Sequence, residues 1–134
     1  MDNSKKIKRK ILVTQALPYA NAPLHLGHIL EAVQADIWTR FQNLNDNECL
    51  FFCADDTHGT PIMLKANEIG ISPEKLISNV YKDHKNTYEL YGINFANFYS
   101  THSDENKKYS EFIYRCAKDN NLISKSNIEQ YYDK

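Results

Sequence analysis

A short apolar run, Ile11 to Leu17, stops at Pro18; a helical stripe follows Gly27, and a second apolar run occupies Cys49 to Ala54. That order constrains the chain more than its composition does, because strand, helix and strand in succession favour an α/β layer with parallel strands. The stripe consists of Ile29, Val33, Ile37, Phe41 and Leu44, widened by Leu30 and Trp38, and its spacing is that of a helix. The polar turn "DDTHGTP" then leads into a helix from Pro61 to Ile69, which stops at Gly70. Ser72 and Pro73 start another helix, with Leu76, Val80, His84, Thr87 and Tyr91 on one face. The strand-like "NFYS" ends at Ser100, and a last helix begins near Ser103 and Asp104, with Tyr109, Phe112, Ile113 and Cys116 expected on its buried side.

The 134 residues, 42% of them hydrophobic, are enough for one modest domain with a core. No apolar run is long enough to span a membrane, and the amino end lacks a secretory signal, so a cytoplasmic protein without membrane partners is expected. Cys49, Cys53 and Cys116 contain no C-x-x-C pair and read as free thiols, with no metal site. Sixteen basic against 17 acidic side chains leave no domain-wide footprint for nucleic acid. "KKIKRK", residues 5 to 10, reads as the end of a solvated basic leader, residues 1–9, rather than as a phosphate-binding arm.

In an open parallel sheet, ligands bind beyond the carboxyl ends of the strands, where strand order reverses. "PYANAPLHLGH" leaves the first strand there and "DDTHGTP" leaves the second, so two polar loops are expected to face one crevice. His25 and His28 sit a helical turn apart at a helix start, where unpaired N–H groups carry partial positive charge. Two imidazoles there suit phosphate oxygens, and Gly27 lets a flat base approach the backbone. H-x-G-H taken alone is a weak signal that two helix-start histidines facing water satisfy more readily, and a metal pair fits less well for want of a third ligand. Asp55, Asp56, Thr57 and Gly59 taken alone read as an ordinary polar turn capping the next helix.

"HLGH" resembles the HIGH signature of class I aminoacyl-tRNA synthetases, and "ALPYAN" and "CADDTHGTP" around it resemble the methionyl-tRNA synthetase family. "KILVTQALPYAN", "LEAVQADIW", "CADDTHGTPIMLKANEIGISPE" and "YSTHSDENKKYSEFIY" follow that family in order from Lys10 onward. The resemblance implies the first half of a Rossmann-type parallel-sheet catalytic domain, residues 10–134, with a HIGH-type nucleotide-binding loop. It implies ATP-dependent activation of methionine to methionyl-adenylate and transfer to tRNA(Met), with ATP and Mg2+ as substrate. His25 and His28 are implied as catalytic; Pro18, Asn21, His25, Gly27 and His28 as ATP-binding; Leu17, Tyr19 and Asp56 as methionine-binding. His58 either lines the site or braces the turn, and Thr101, His102 and Ser103 read as helix capping.

Two departures accompany the resemblance. Ala22 stands where the family commonly has glycine. The KMSKS loop, the zinc knuckles and the anticodon-reading domain are absent; "SKS" at Ser124 to Ser126 is a coincidence, and zinc and most tRNA contacts belong to a downstream region. A nucleotidylyltransferase of the H-x-G-H type and an inactive truncated fragment are the alternative readings.

Overall fold

The computed structural model describes residues 8–129 and residue 131. The chain divides into two compact units, Met1–His102 and Ser103–Lys134. Of the basic leader, residues 1–7 lie outside the described residues; the N–H of Arg9 donates to Asn47 Oδ1 at 3.1 Å.

The first unit holds β1 (Lys10–Thr14), α1 (Leu26–Leu44), β2 (Glu48–Asp55), α2 (Thr60–Glu68), α3 (Pro73–Leu90) and β3 (Asn97–Ser100). The three strands form one parallel sheet in the order β1-β2-β3. This is the α/β parallel arrangement that the apolar runs predict. Strand order does not reverse within these three strands, so the expected switch point is not among the described residues. Pairing along β2 is staggered: Glu48 to Phe52 match β1, and Phe52 to Asp55 match β3.

Strand β1 stops at Thr14, earlier than the apolar run suggests. The cause is a local diversion: the Ala16 N–H turns away to the Glu31 carboxylate of α1, 2.8 Å distant. The chain rejoins β2 beyond the diversion. Asp56 N–H donates to Pro18 O and Ala20 N–H to Asp56 O, both at 2.9 Å, making an isolated parallel bridge between Tyr19 and Asp56.

Two core clusters support this end of the sheet. One joins Ala20 to Ile62, Ala66, Leu76, Ile77 and Val80 of α2 and α3. The other joins Ile29 and Ala32 of α1 to Phe51, Tyr88 and Ile93. Helix α3 buries Tyr88 rather than Tyr91, because Tyr88 edges onto Phe95 and Phe98 while Tyr91 already caps the helix end.

Helix α1 departs further from its pattern. Its buried residues are Ile29, Ala32, Asp36 and Thr39, whereas Leu30, Ile37, Trp38, Phe41 and Leu44 are exposed. Small side chains let the helix approach the sheet closely, and the polar ones on that face find partners. Asp36 accepts from Asn94 N–H at 3.0 Å and pairs with Arg40 at 2.5 Å, while Arg40 also donates to Gly92 O at 2.6 Å. Thr39 Oγ1 donates to Ala35 O at 2.8 Å. Burying a charge beside a matched cation and a backbone N–H keeps its desolvation tolerable, which a hydrophobic pattern cannot register.

The second unit contains α4 (Asp104–Asp119), capped by Ser103, whose Oγ accepts from Asn106 N–H at 3.2 Å. Tyr109, Phe112, Ile113 and Cys116 are exposed, contrary to the expectation of a buried side. Among the described residues α4 is the only regular element of its unit, so its stripe has no second layer within that unit to pack on.

Candidate functional site

The Tyr19–Asp56 bridge joins the two loops that the sequence singles out. Pro18 is fully buried, so the outward surface of the first loop falls to Leu17, Tyr19, Asn21 and the histidines that follow. Tyr19 is held from two sides: its hydroxyl donates to His58 O at 2.9 Å and lies against Gly59. A Cβ on Gly59 would sit 2.4 Å from that hydroxyl, and Gly59 has φ +133°, so no L side chain fits there. Asp56 gives both backbone groups to the bridge and leaves its half-buried carboxylate at the mouth of the second loop.

The second loop is braced across to the end of β3. Thr57 N–H donates to Thr101 Oγ1 at 2.9 Å, and the two hydroxyls share a hydrogen bond of 2.8 Å. His58 Nε2 lies 3.3 Å from Thr101 O, and its ring is 5.6 Å from that of His102. His58 therefore braces the turn. Of the three residues read as caps, Ser103 caps α4 while Thr101 supports the loop.

His25 and His28 begin α1 as a reciprocal capping box. His25 Nδ1 accepts from Gly27 N–H at 3.1 Å, and His28 Nδ1 accepts from His25 N–H at 3.4 Å. Their rings stack with centroids 3.7 Å apart. A nitrogen that accepts must carry a lone pair, which places the proton of each neutral ring on Nε2. The helix start thus holds two parallel Nε2–H donors that the cap itself does not use. Burial first, then the neighbouring His25 and His84, hold His28 below its ordinary value of 6.5, and Glu31 opposes this only in part. His28 is accordingly neutral at pH 7.

Gly27 has a local reason to be glycine that spacing alone does not reveal. A Cβ there would meet His25 Cε1 at 2.9 Å, so the absent side chain is what lets the His25 ring fold onto the cap. Ala22 is also accommodated: it has no positive φ, so nothing there demands glycine.

Sequence reasoning missed His84, read only as part of a helix face. The ring is fully buried between Asp55 and the Ala22 carbonyl. The signal was available in principle, since a histidine in a buried stripe requires polar partners and a carboxylate ends the adjoining strand. Cys53 is buried on β2, and burial pushes its thiol up to about 12, leaving it unreactive.

The model of the family described as tRNA synthetases class I (M) matches residues 11–134. The chain is 57% identical over 126 residues to the methionine–tRNA ligases of two strains of Leptospira biflexa serovar Patoc, covering 94% of this chain. It spans only 18% of the length of those relatives. Among solved structures, the methionyl-tRNA synthetase of Mycobacterium tuberculosis in complex with methionyl-adenylate superposes with a TM-score of 0.80 at 25% identity, over 84% of this chain and 22% of that one. The ternary complex of an Agrobacterium radiobacter K84 LeuRS with tRNA and LeuAMS superposes with a TM-score of 0.79 at 22% identity, over 88% and 15%, and shares the fold.

Proposed function

The chain belongs to the class I tRNA synthetases of the methionyl kind, and on that premise we propose that it carries the HIGH half of a cytoplasmic methionine–tRNA ligase. The observation that carries this reading is the Tyr19–Asp56 bridge, which ties a phosphate-suited helix start and an ammonium-suited carboxylate to neighbouring strand ends.

The methionine carboxylate attacks the α-phosphorus of ATP and pyrophosphate leaves; a hydroxyl of the terminal tRNA adenosine then attacks the adenylate carbonyl, the acyl–phosphate bond breaks and AMP leaves. No side chain needs to form a covalent intermediate, so this chain contributes orientation and charge stabilisation. His25 and His28 offer their Nε2–H groups to oxygens that gain charge at the α-phosphorus, and they arrive already oriented by the cap and the ring stack. Gly27 and Asn21 leave the nucleotide room at the helix start, while Pro18 supports the loop from behind. Asp56 receives the methionine ammonium group, Tyr19 covers the thioether with its polarizable face, and Leu17 lies against the amino-acid backbone. Mg2+ accompanies ATP as part of the substrate. Zinc and most tRNA(Met) contacts belong to sequence downstream of this segment.

The test is a chimera in which this chain replaces the matching segment of the Leptospira biflexa ligase. Methionine-dependent exchange of pyrophosphate into ATP is expected. A folded chimera with no exchange, or with exchange independent of methionine, overturns the reading.

A further inference from the structure

His84 sits on α3 with its ring fully buried, and both of its nitrogens face acceptors. Nδ1 lies 2.7 Å from Asp55 Oδ1, and Nε2 lies 2.8 Å from the carbonyl oxygen of Ala22. A neutral imidazole has only one N–H, so it would point a lone pair at one of these oxygens; an imidazolium satisfies both. The remaining carboxylate oxygen, Asp55 Oδ2, is buried without a partner among the described residues. A bare buried carboxylate oxygen is tolerable only beside a charge of opposite sign.

The charged groups around the ring agree with this assignment. Burial lowers the affinity of His84 for its proton, but the Asp55 hydrogen bond, the Ala22 carbonyl and the charges of Asp55 and Asp83 together raise it above the ordinary value. On α1, His28 senses the His84 charge and is disfavoured from protonating itself.

Ala22 lies between the Tyr19 bridge and the His25 cap, just beyond the backbone bonds of Ala20 N–H to Asp56 O and Asn21 N–H to Tyr19 O. A hold on its carbonyl therefore fixes where the loop delivers α1. We propose that His84, as an imidazolium bound to Asp55, is a positioning residue: it pins the Ala22 carbonyl to the end of β2 and thereby sets the His25–His28 donors against the methionine side of the site. No substrate reaches the buried ring, and the effect passes entirely through the loop. The inference rests on the ligase reading above.

In the chimeric ligase, His84→Gln can donate to only one of the two acceptors. Single-turnover adenylate formation per titrated active site is expected to slow by about ten- to a hundredfold, with KM for methionine and ATP nearly unchanged, because orientation rather than binding is lost. The parent rate should also decline as pH rises through the His84 titration, and that alkaline limb should vanish in the variant. A variant with the parent rate per active site, or with the alkaline limb intact, overturns the proposal. Should the parent chimera show no exchange, the ligase reading fails separately, and nitrogen-15 histidine spectra of the 134-residue chain decide the matter. Two protonated nitrogens on His84 at neutral pH, with His25 and His28 resonances displaced in His84→Gln, support it; a singly protonated ring overturns it.

Discussion

Helices α1 and α3 both begin with a side-chain cap, yet they are built from different chemistry. Ser72 opens α3 with its Oγ accepting from Lys75 N–H at 3.2 Å, the common solution, and its own O–H turns to the Glu74 carboxylate in the first turn of the same helix. Helix α1 opens instead with two histidines, a residue type with no strong preference for that position, and its cap consumes one nitrogen of each ring. The difference teaches how to separate a structural cap from a working one. A structural cap turns its remaining donor back onto its own helix, while a working cap keeps donors in reserve.

The contrast is most sharply tested at His28. In the chimeric ligase, His28→Ala is expected to slow adenylate formation about a hundredfold or more, a loss of roughly 3 to 4 kcal/mol of transition-state stabilisation. Rates within a few-fold of the parent would make the α1 start no different from the α3 start. Next in size is Asp56→Ala, which should raise KM for methionine by about tenfold or more through loss of a charge-assisted bond, and leave KM for ATP nearly unchanged. Equal changes for both substrates would make Asp56 a structural member of the bridge.

Gly59→Ala forces a side chain into φ +133° and into the Tyr19 hydroxyl. Denaturant unfolding of the chain is expected to show a loss of about 1 to 3 kcal/mol. Ser72→Ala should cost only about 1 kcal/mol by the same measurement, and should leave the exchange rate of the chimera intact. A large fall in activity there would erase the distinction between the two helix starts.

The smallest effect is a pH dependence of stability with opposite signs at the two histidine environments. His84 is held above 6.5, so its contribution is complete below that value and fades as pH rises through the folded pKa. His28 is held below 6.5, so its contribution is present above that value and fades as pH falls through the folded pKa. Urea midpoints of the chain across pH should lose their alkaline decline in His84→Gln and part of their acid decline in His28→Ala.

Much of the architecture is legible in the residues because apolar runs and cap residues act locally. Ile11, the Cys49 to Ala54 run, Ser72, Ser103 and "NFYS" each fall in or beside the element they predict. The face that α1 buries is not legible, since Asp36 and Thr39 become buriable only through Asn94, Arg40 and Ala35, and two of those partners are set by folding or by charge geometry. The candidate site residues are named through family likeness. Their support is not, because the His84, Asp55 and Ala22 contact joins three segments far apart in sequence, and no period or motif connects them.

Asp55 and Asp56 are adjacent carboxylates at the end of β2, one fully buried against His84 and the other half-buried at the loop mouth. Successive strand residues point to opposite faces, so it is the parity of the strand that assigns these two identical side chains their separate places. The same strand is clamped by β1 along its first half and by β3 along its second. A one-residue deletion within residues 48–54 would consequently carry Asp56 into the buried place of Asp55 and bring Thr57 to the loop mouth, which would then have no carboxylate. Register along this strand, more than any single side chain, is what keeps one carboxylate buried and the other at the loop mouth.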